Sequence, residues 1–454
     1  MSDTPSNSDG DTGRESGRTE TPSTDRVVDI ASDLLAIDTS NPPGDTRSIV
    51  AWIESFFDGI GVDTERVAAD PAKPNLLATI PGRSDRTLLY NGHVDTVPFD
   101  PAQWSHDPLG ERDGDRLYGR GATDMKGPLA AMLATAEAVV DADADVNADA
   151  DVNADADVNA DADIDADPPV TLAFAVVSDE ETAGDAGVDT LVESGALTRI
   201  DPDACVIGET TCSGGRHSVT VADRGSIWVT LEATGVAAHG SRPTLGENAI
   251  DRLWEAVSLL RRRLTARDLP IPGALAPVIE ESVEYYEPTL GADAARETFT
   301  HPTVNLGTIA GGESINTVPS TATARIDVRL SAGVDTADVL ADVRDCLSDF
   351  PAVSIADTSW SVGSYEPVDS PLVEAVTTTA GRATGGERIY RRSATGGGDA
   401  KTFRHAGVPT VEFAFGTDTV HGVDEYTTRA SLARNAEVYT RLPDAWAGLL
   451  DDAS

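Results

Sequence analysis

VTLAFAVVSDEETAG, residues 170–184, carries a run that is apolar but for Thr171, Val170 to Val177, through Ser178 and Asp179 into two adjacent glutamates, Glu180 and Glu181. A run of that length reads as a strand buried on both faces, as in a parallel sheet covered by helices. Neighbouring carboxylates repel each other, so a pair at the end of a buried strand points to cations that offset them. Adjacent strand residues face opposite ways, which places the pair where the strand bends into its loop, with Gly184 and Gly187 available for the bend.

Outward from this stretch, apolar strands alternate with helical patterns. A helix is expected to begin near Asp25, with Val27, Val28, Ile30, Leu34 and Leu35 at helical spacing, and NPPGDT at 41–46 ends it. Ile49 to Phe57 forms a second helix. RTLLYNGHVDTVP at 86–98 is the clearest strand, and GPLAAMLATAEAVV at 127–140 the helix before the opening strand. The alternation predicts an α/β fold, a mostly parallel sheet with flanking helices. After Arg224 the order becomes strand, helix, strand, strand, helix, strand, which is a ferredoxin-like α+β sandwich inserted as a unit.

The expected organisation is a polar tail at 1–25, a catalytic domain in two parts, 26–222 and 364–454, and a lid at 223–363. The Asp-rich repeat at 141–167 lacks the glycine of a calcium loop and reads as a solvated, disordered insertion. The excursion from Ala266 to His301 carries no assigned role.

Composition narrows the function. The 454 residues exceed a usual single core, and 40% apolar residues suffice for two. A formal charge of −43 argues against nucleic acid or an anionic membrane as partner. Lys73, Lys126 and Lys401 are the only lysines, and Asp far outnumbers Glu, a balance like that of proteins adapted to high salt. Cys205, Cys212 and Cys346 form no paired framework, which fits a reducing cytoplasm, and no stretch approaches the ~18 apolar residues of a membrane span.

Polar groups gather at the ends of the apolar strands, where open parallel sheets bind ligands. NGHVDTVP places His93 and Asp95 two residues apart on one side of an extended chain, so the carboxylate is expected to hold the ring nitrogen opposite a metal. GATDMKG supplies Asp124, IGET supplies Glu209, and TDTVHGVDEY supplies His421. Two histidines and three or four carboxylates, with no cysteine, suit one or two divalent ions, zinc before cobalt or manganese. One glutamate of the pair is then a ligand and its neighbour a base that takes a proton from water. His106, His217, His301 and His405 have no such setting and read as ordinary core or surface residues.

NGHVDTVP, WSHDPL, LYGRGATDMKG, SDEETAG, IGET and VHGVDEY, in this order between about Val27 and Leu442, resemble the zinc-dependent family of acetylornithine deacetylase, succinyl-diaminopimelate desuccinylase, aminoacylase and carboxypeptidase G. The resemblance implies a di-zinc catalytic domain and a ferredoxin-like lid that dimerises. By motif, His93 would bind one ion, Asp124 would bridge both, and Glu181, Glu209 and His421 would complete the ligands. Glu180 would be the general base and Asp95 the support of His93. His239 in VAAHGSRP would reach the partner subunit's site, Asn316 and Arg329 would bind the substrate's backbone and carboxylate, and Gly397 and Gly398 would lie beside the substrate. Where desuccinylases carry Ser and Arg in the glycine loop, this chain has Asp399-Ala400-Lys401, a departure that bears on acid-specific recognition. The implied activity is hydrolysis of an N-acyl amino acid by a cytoplasmic homodimer. The alternatives are a dipeptidase or carboxypeptidase of the same chemistry, an inactive metal-binding relative, and an acidic scaffold. Arg329 has a second reading as a salt bridge within the lid.

Overall fold

The computed structural model describes residues 19–153, 167–211 and 215–452. An eight-stranded mixed sheet forms the larger body, in the order Thr64–Val67, Asn75–Ile80, Thr171–Val177, Thr87–His93, Ala204–Ile207, Thr410–Glu412, His217–Ala222, Ile389–Ser393. Its four central strands, from Thr171–Val177 to Thr410–Glu412, are mutually parallel, so their carboxyl ends share one edge. The opening strand shows why. Leu172, Phe174 and Val176 pack into the core beneath the helices Thr24–Leu35, Lys126–Asn153 and Arg429–Asp452, while Ala173, Ala175 and Val177 join the opposite core with Leu191 and Phe403. Both faces are covered, and the period of two divides one apolar run between them.

The smaller body is a four-stranded antiparallel sheet ordered Thr303–Gly311, Thr321–Leu330, Gly225–Thr234, Val353–Ser361, with the helices Ala249–Thr265 and Thr336–Ser348 packed on one face. This is the expected ferredoxin-like order. Its other face is open and carries Trp228 and Trp360, both about half exposed.

Helix Thr24–Leu35 starts where expected, near Asp25, with Ser23 Oγ accepting the Arg26 N–H at 3.2 Å; residues 1–18 lie outside the described residues. Two features differ from the sequence expectations. The helix that opens at Lys126 runs on through Asn153, so the first part of the Asp-rich repeat is helical. Alanine at alternate positions propagates a helix whose nucleus is already buried. The rest of the repeat, 154–166, lies outside the described residues. Finally, the excursion beyond Ala266 leaves the lid. Its helices Ala276–Leu290 and Ala292–Thr300 dock on the catalytic body, where Ser282 Oγ accepts the Ser393 N–H at 2.8 Å and the Tyr285 hydroxyl donates to Thr211 O at 2.9 Å. No helix among the described residues is long and apolar enough to cross a membrane.

The chain passes between the bodies at Ala222–Gly225 and again at Ser361–Ser364. There a Cβ on Gly225 would lie 2.9 Å from the Gly363 nitrogen, so only glycine lets the two crossings touch. Asp223, wholly buried, is held at this junction by Arg404 at 2.6 Å. Arg404→Ala leaves that carboxylate uncompensated and is expected to cost ~3–5 kcal/mol. A shift of the urea unfolding midpoint measures it, and an unchanged midpoint would contradict the assignment.

Candidate metal centre

The four parallel strands deliver their polar ends to one place. His93 closes its strand, Glu180 and Glu181 follow Val177, Glu209 follows Ile207, and Asp124 stands just before the helix that opens at Lys126. His421 enters from the loop between Thr410–Glu412 and Tyr426–Thr428, with a left-handed backbone, φ +60°.

Asp124 divides its carboxylate between two histidines. One oxygen lies 3.2 Å from His93 Nε2, which also lies 3.3 Å from Glu209. The other lies 3.1 Å from His421 Nε2, itself 3.0 Å from Glu181. Two trios share Asp124: His93, Asp124 and Glu209, and Asp124, Glu181 and His421, each with its donor atoms within 4.8 Å of one another. Burial and the charge of Asp124 push the Glu209 carboxyl well up, and burial pushes Glu180 up to about 7. Hydrogen bonds to Asp124 and Glu181 raise His421 to about 10. The pocket is built for more positive charge than two imidazoles carry. Nitrogen and carboxylate donors without thiolate, arranged as two trios around a shared carboxylate, fit two divalent cations.

Asp95 corrects one expectation. His93 Nδ1 lies 2.9 Å from the Asp95 main-chain oxygen and 3.6 Å from its carboxylate, so the carbonyl orients the ring. The carboxylate instead accepts the N–H groups of Glu180 at 3.1 Å and Glu181 at 3.2 Å, and the Asn41 amide at 2.8 Å. Burial opposes its charge, but His93 and these donors hold it near 2. The bend differs too. Asp179 at φ +84° and Ala183 at φ +49° turn the chain, while Gly184 serves close approach, since a Cβ there would sit 1.9 Å from Asp179 Oδ2. Lys73 and Asn41 hold Asp179 in that conformation.

Glu425, fully buried, escaped the sequence reading although it stands in VHGVDEY. Its Oε1 accepts the N–H groups of Thr123 and Asp124 at 3.0 and 3.1 Å, and its Oε2 accepts Gly121 N–H at 3.2 Å and Arg120 Nη1 at 2.6 Å. Arg120 Nη2 in turn donates to the Gly422 carbonyl at 3.0 Å. One ion pair thus clips the Asp124 turn to the His421 loop.

The remaining predicted residues divide. Gly397 and Gly398 line the same cavity as Asp124, Glu180, Glu181, Glu209 and His421. His239 and Asn316 are exposed on the lid and do not line it; His239 Nδ1 lies 2.8 Å from Ser241 Oγ. Arg329 pairs with Asp327 at 2.8 Å within the lid sheet, the salt bridge that was its second reading. His106 stacks on Tyr118 beside Glu111, and His217 and His301 pair with Glu387 and Asp268, all outside the two trios.

With this geometry, comparison with known proteins is decisive. Residues 89–152 match the model of peptidase family M20/M25/M40, and residues 221–353 match the peptidase dimerisation domain of the same group. Over both segments the chain is similar to the M20 peptidase family. It is a metallohydrolase. A succinyl-diaminopimelate desuccinylase of Methylobacterium radiotolerans is 28% identical over 93% of this chain and 97% of its own length. An acetylornithine deacetylase of Photorhabdus laumondii is 29% identical over 78% and 79%. The same fold is seen in the M20 metallo-carboxypeptidase Sso-CP2 of Sulfolobus solfataricus, TM-score 0.74 at 18% identity over 93% of this chain and 99% of that one. Human carnosine dipeptidase 1 superposes with TM-score 0.67 at 18% identity over 94% and 96%.

The clip has a measurable consequence. Glu425→Ala frees the Asp124 turn and is expected to weaken divalent-metal binding ~10–100-fold. Competition with a chromophoric chelator reads the affinity; wild-type binding would show that the clip does not serve the centre.

Proposed function

We propose that this metallohydrolase is a di-zinc deacylase that hydrolyses an N-acyl amino acid, releasing acetate or succinate and the free amine. The observation that carries the reading is Glu180. Its backbone is pinned by Asp95 next to Glu181, yet its side chain belongs to neither trio and has no hydrogen-bond or ion-pair partner among the described residues. A partnerless carboxyl pushed to about 7 by burial suits a group that takes a proton and returns it near neutral pH. The desuccinylase and deacetylase names of the relatives support the acyl-amino-acid substrate.

In this reading His93, Glu209 and Asp124 would hold one zinc ion, and Asp124, Glu181 and His421 the other. When bound, such ions would supply Lewis-acid chemistry toward the amide carbonyl and water. Glu180 accepts the proton of the attacking water, then delivers it to the departing nitrogen. The glycine loop at 396–398 leaves room for the substrate beside Glu180, because a Cβ on Gly398 would stand 3.3 Å from Glu180 Oε1.

His239 and Asn316 are exposed on the lid and do not line their own chain's cavity, and we assign them to a second copy in a homodimer, where His239 donates to the developing oxyanion and Asn316 anchors the substrate. The match of 221–353 to a dimerisation domain supports this. The charge of −43 supports a salt-rich cytoplasm as the setting.

The test is hydrolysis at high potassium chloride, with added zinc, of acetylornithine, acetyl-lysine, succinyl-diaminopimelate, acetylmethionine and two dipeptides. Expected is chelator-sensitive turnover of an acyl-amino acid, abolished in Glu180→Gln with two ions still bound. Turnover of dipeptides alone would establish the peptidase alternative. Mixing His239→Ala with Glu180→Gln protein is expected to restore activity that neither shows alone, since a mixed dimer builds one complete site. No restoration would place His239 outside the partner's site.

A further inference from the structure

Beyond the metal centre the cavity, about 310 Å³, continues past the glycine loop to Thr220, Tyr286, Arg392 and Glu412. Its end wall joins the strand ends of the catalytic body to the excursion that sequence left without a role. The polar groups there are unequally satisfied. Arg392, buried, gives Nε to Ser218 Oγ at 2.8 Å, Nη1 to the Tyr286 hydroxyl at 2.8 Å and Nη2 to Thr211 O at 3.2 Å. Asp223 is committed to Arg404 at 2.6 Å. The carboxyl group of Glu412, a residue 8% exposed at the end of its strand, has no hydrogen bond or ion pair with any described residue.

We propose that Glu412 determines specificity by binding a primary ammonium group of the substrate, a few bonds from the amide that is cut. This rests on the amide-hydrolase reading only for where the reacting bond lies. The same point, a Cβ on Gly398, would stand 3.3 Å from Glu180 Oε1 and 3.7 Å from Glu412 Oε1, so a short aliphatic chain beside the base reaches both carboxylates. A buried carboxylate without a donor is unfavourable, and a ligand that brings the donor recovers that energy. The donor has to be positive. Burial and the neighbouring charge of Asp223 push the Glu412 carboxyl up to about 8 against the opposing charges of Arg404 and Arg392, whose guanidinium groups are committed to Asp223 and to neutral acceptors rather than to this oxygen. An ammonium replaces the proton, and a neutral analogue leaves the carboxyl protonated.

Two substrate types present such an ammonium: an acylated diamino acid through its side chain, and a dipeptide through its amino terminus. Two ligand pairs that differ only in that group separate them, acetylornithine against acetylnorvaline and alanyl-leucine against propionyl-leucine. Calorimetric binding to zinc-loaded Glu180→Gln protein reads the preference whether or not the amide is cleaved. In one pair the ammonium ligand is expected to bind on the order of tenfold or more tighter. Adding Glu412→Gln erases that difference and leaves the neutral ligand's affinity in place, whereas Glu412→Asp retains part of it. The pair that responds names the source. Equal binding within both pairs, binding by none of the four, or a preference that survives Glu412→Gln overturns the proposal and leaves Glu412 satisfied by water alone. Wild-type enzyme that cleaves none of the four while the Glu412-dependent preference persists would instead overturn the hydrolase reading and leave the subsite standing.

Discussion

Asp124 turns one carboxylate oxygen to His93 and the other to His421, and the arrangement around the centre follows from that division. Both halves of the centre are fixed relative to one residue, so its backbone must not move. Glu425 secures it by accepting four donors, three of them main-chain N–H groups of the Asp124 turn, and Arg120 extends the grip to the loop that presents His421. Beneath the site lies Lys126, fully buried, its ammonium donating to Ile37 O at 2.7 Å and pushed by burial down to about 7. Acids concentrated at one sheet edge are tolerable because all but a few, Glu180 and Glu412 among them, are assigned a cation, a histidine or several backbone donors.

The three lysines acquire meaning in this light. In a chain that otherwise uses arginine, Lys73 holds the left-handed Asp179, Lys126 lies under the centre, and Lys401 donates to Arg224 O at 2.9 Å beside the glycine loop. An ammonium on a slim stem enters places a guanidinium fork does not fit. A Cβ on Gly397 would lie 2.6 Å from Lys401 Nζ, so even a small addition to the loop collides with it.

Much of the fold and of the candidate centre was legible in the sequence. Strand Thr171–Val177 announced itself by an apolar run that only a doubly covered strand can bury, and His93, Asp124, Glu181, Glu209 and His421 are brought together at the strand ends. Residues that act through long-range contacts were not legible. Glu425 lies 301 positions from the Asp124 backbone it holds, and Asn41 lies 54 from Asp95. The excursion at 276–300 has ordinary helical periodicity, and nothing local says that Tyr286 will meet Arg392, 106 positions away. The division of labour within HVD was also hidden, because spacing puts Asp95 beside His93 without saying that the carbonyl takes the ring and the carboxylate takes the glutamate backbone.

By itself, then, the sequence determined the two bodies and the chemical types gathered at the sheet edge, because periodicity and donor identity are local properties that survive without knowledge of neighbours. The tertiary structure decided which carboxylates are paired and which are left free, since pairing depends on distances between segments hundreds of residues apart. Asp95, Asp223 and Glu412 are acids beside apolar stretches, and Glu425 is an acid in the loop of His421. Only the packed chain separates an anchor of backbone, a partner of arginine, an uncommitted wall residue and a clip, because a carboxylate's role follows from the donors that burial brings to it.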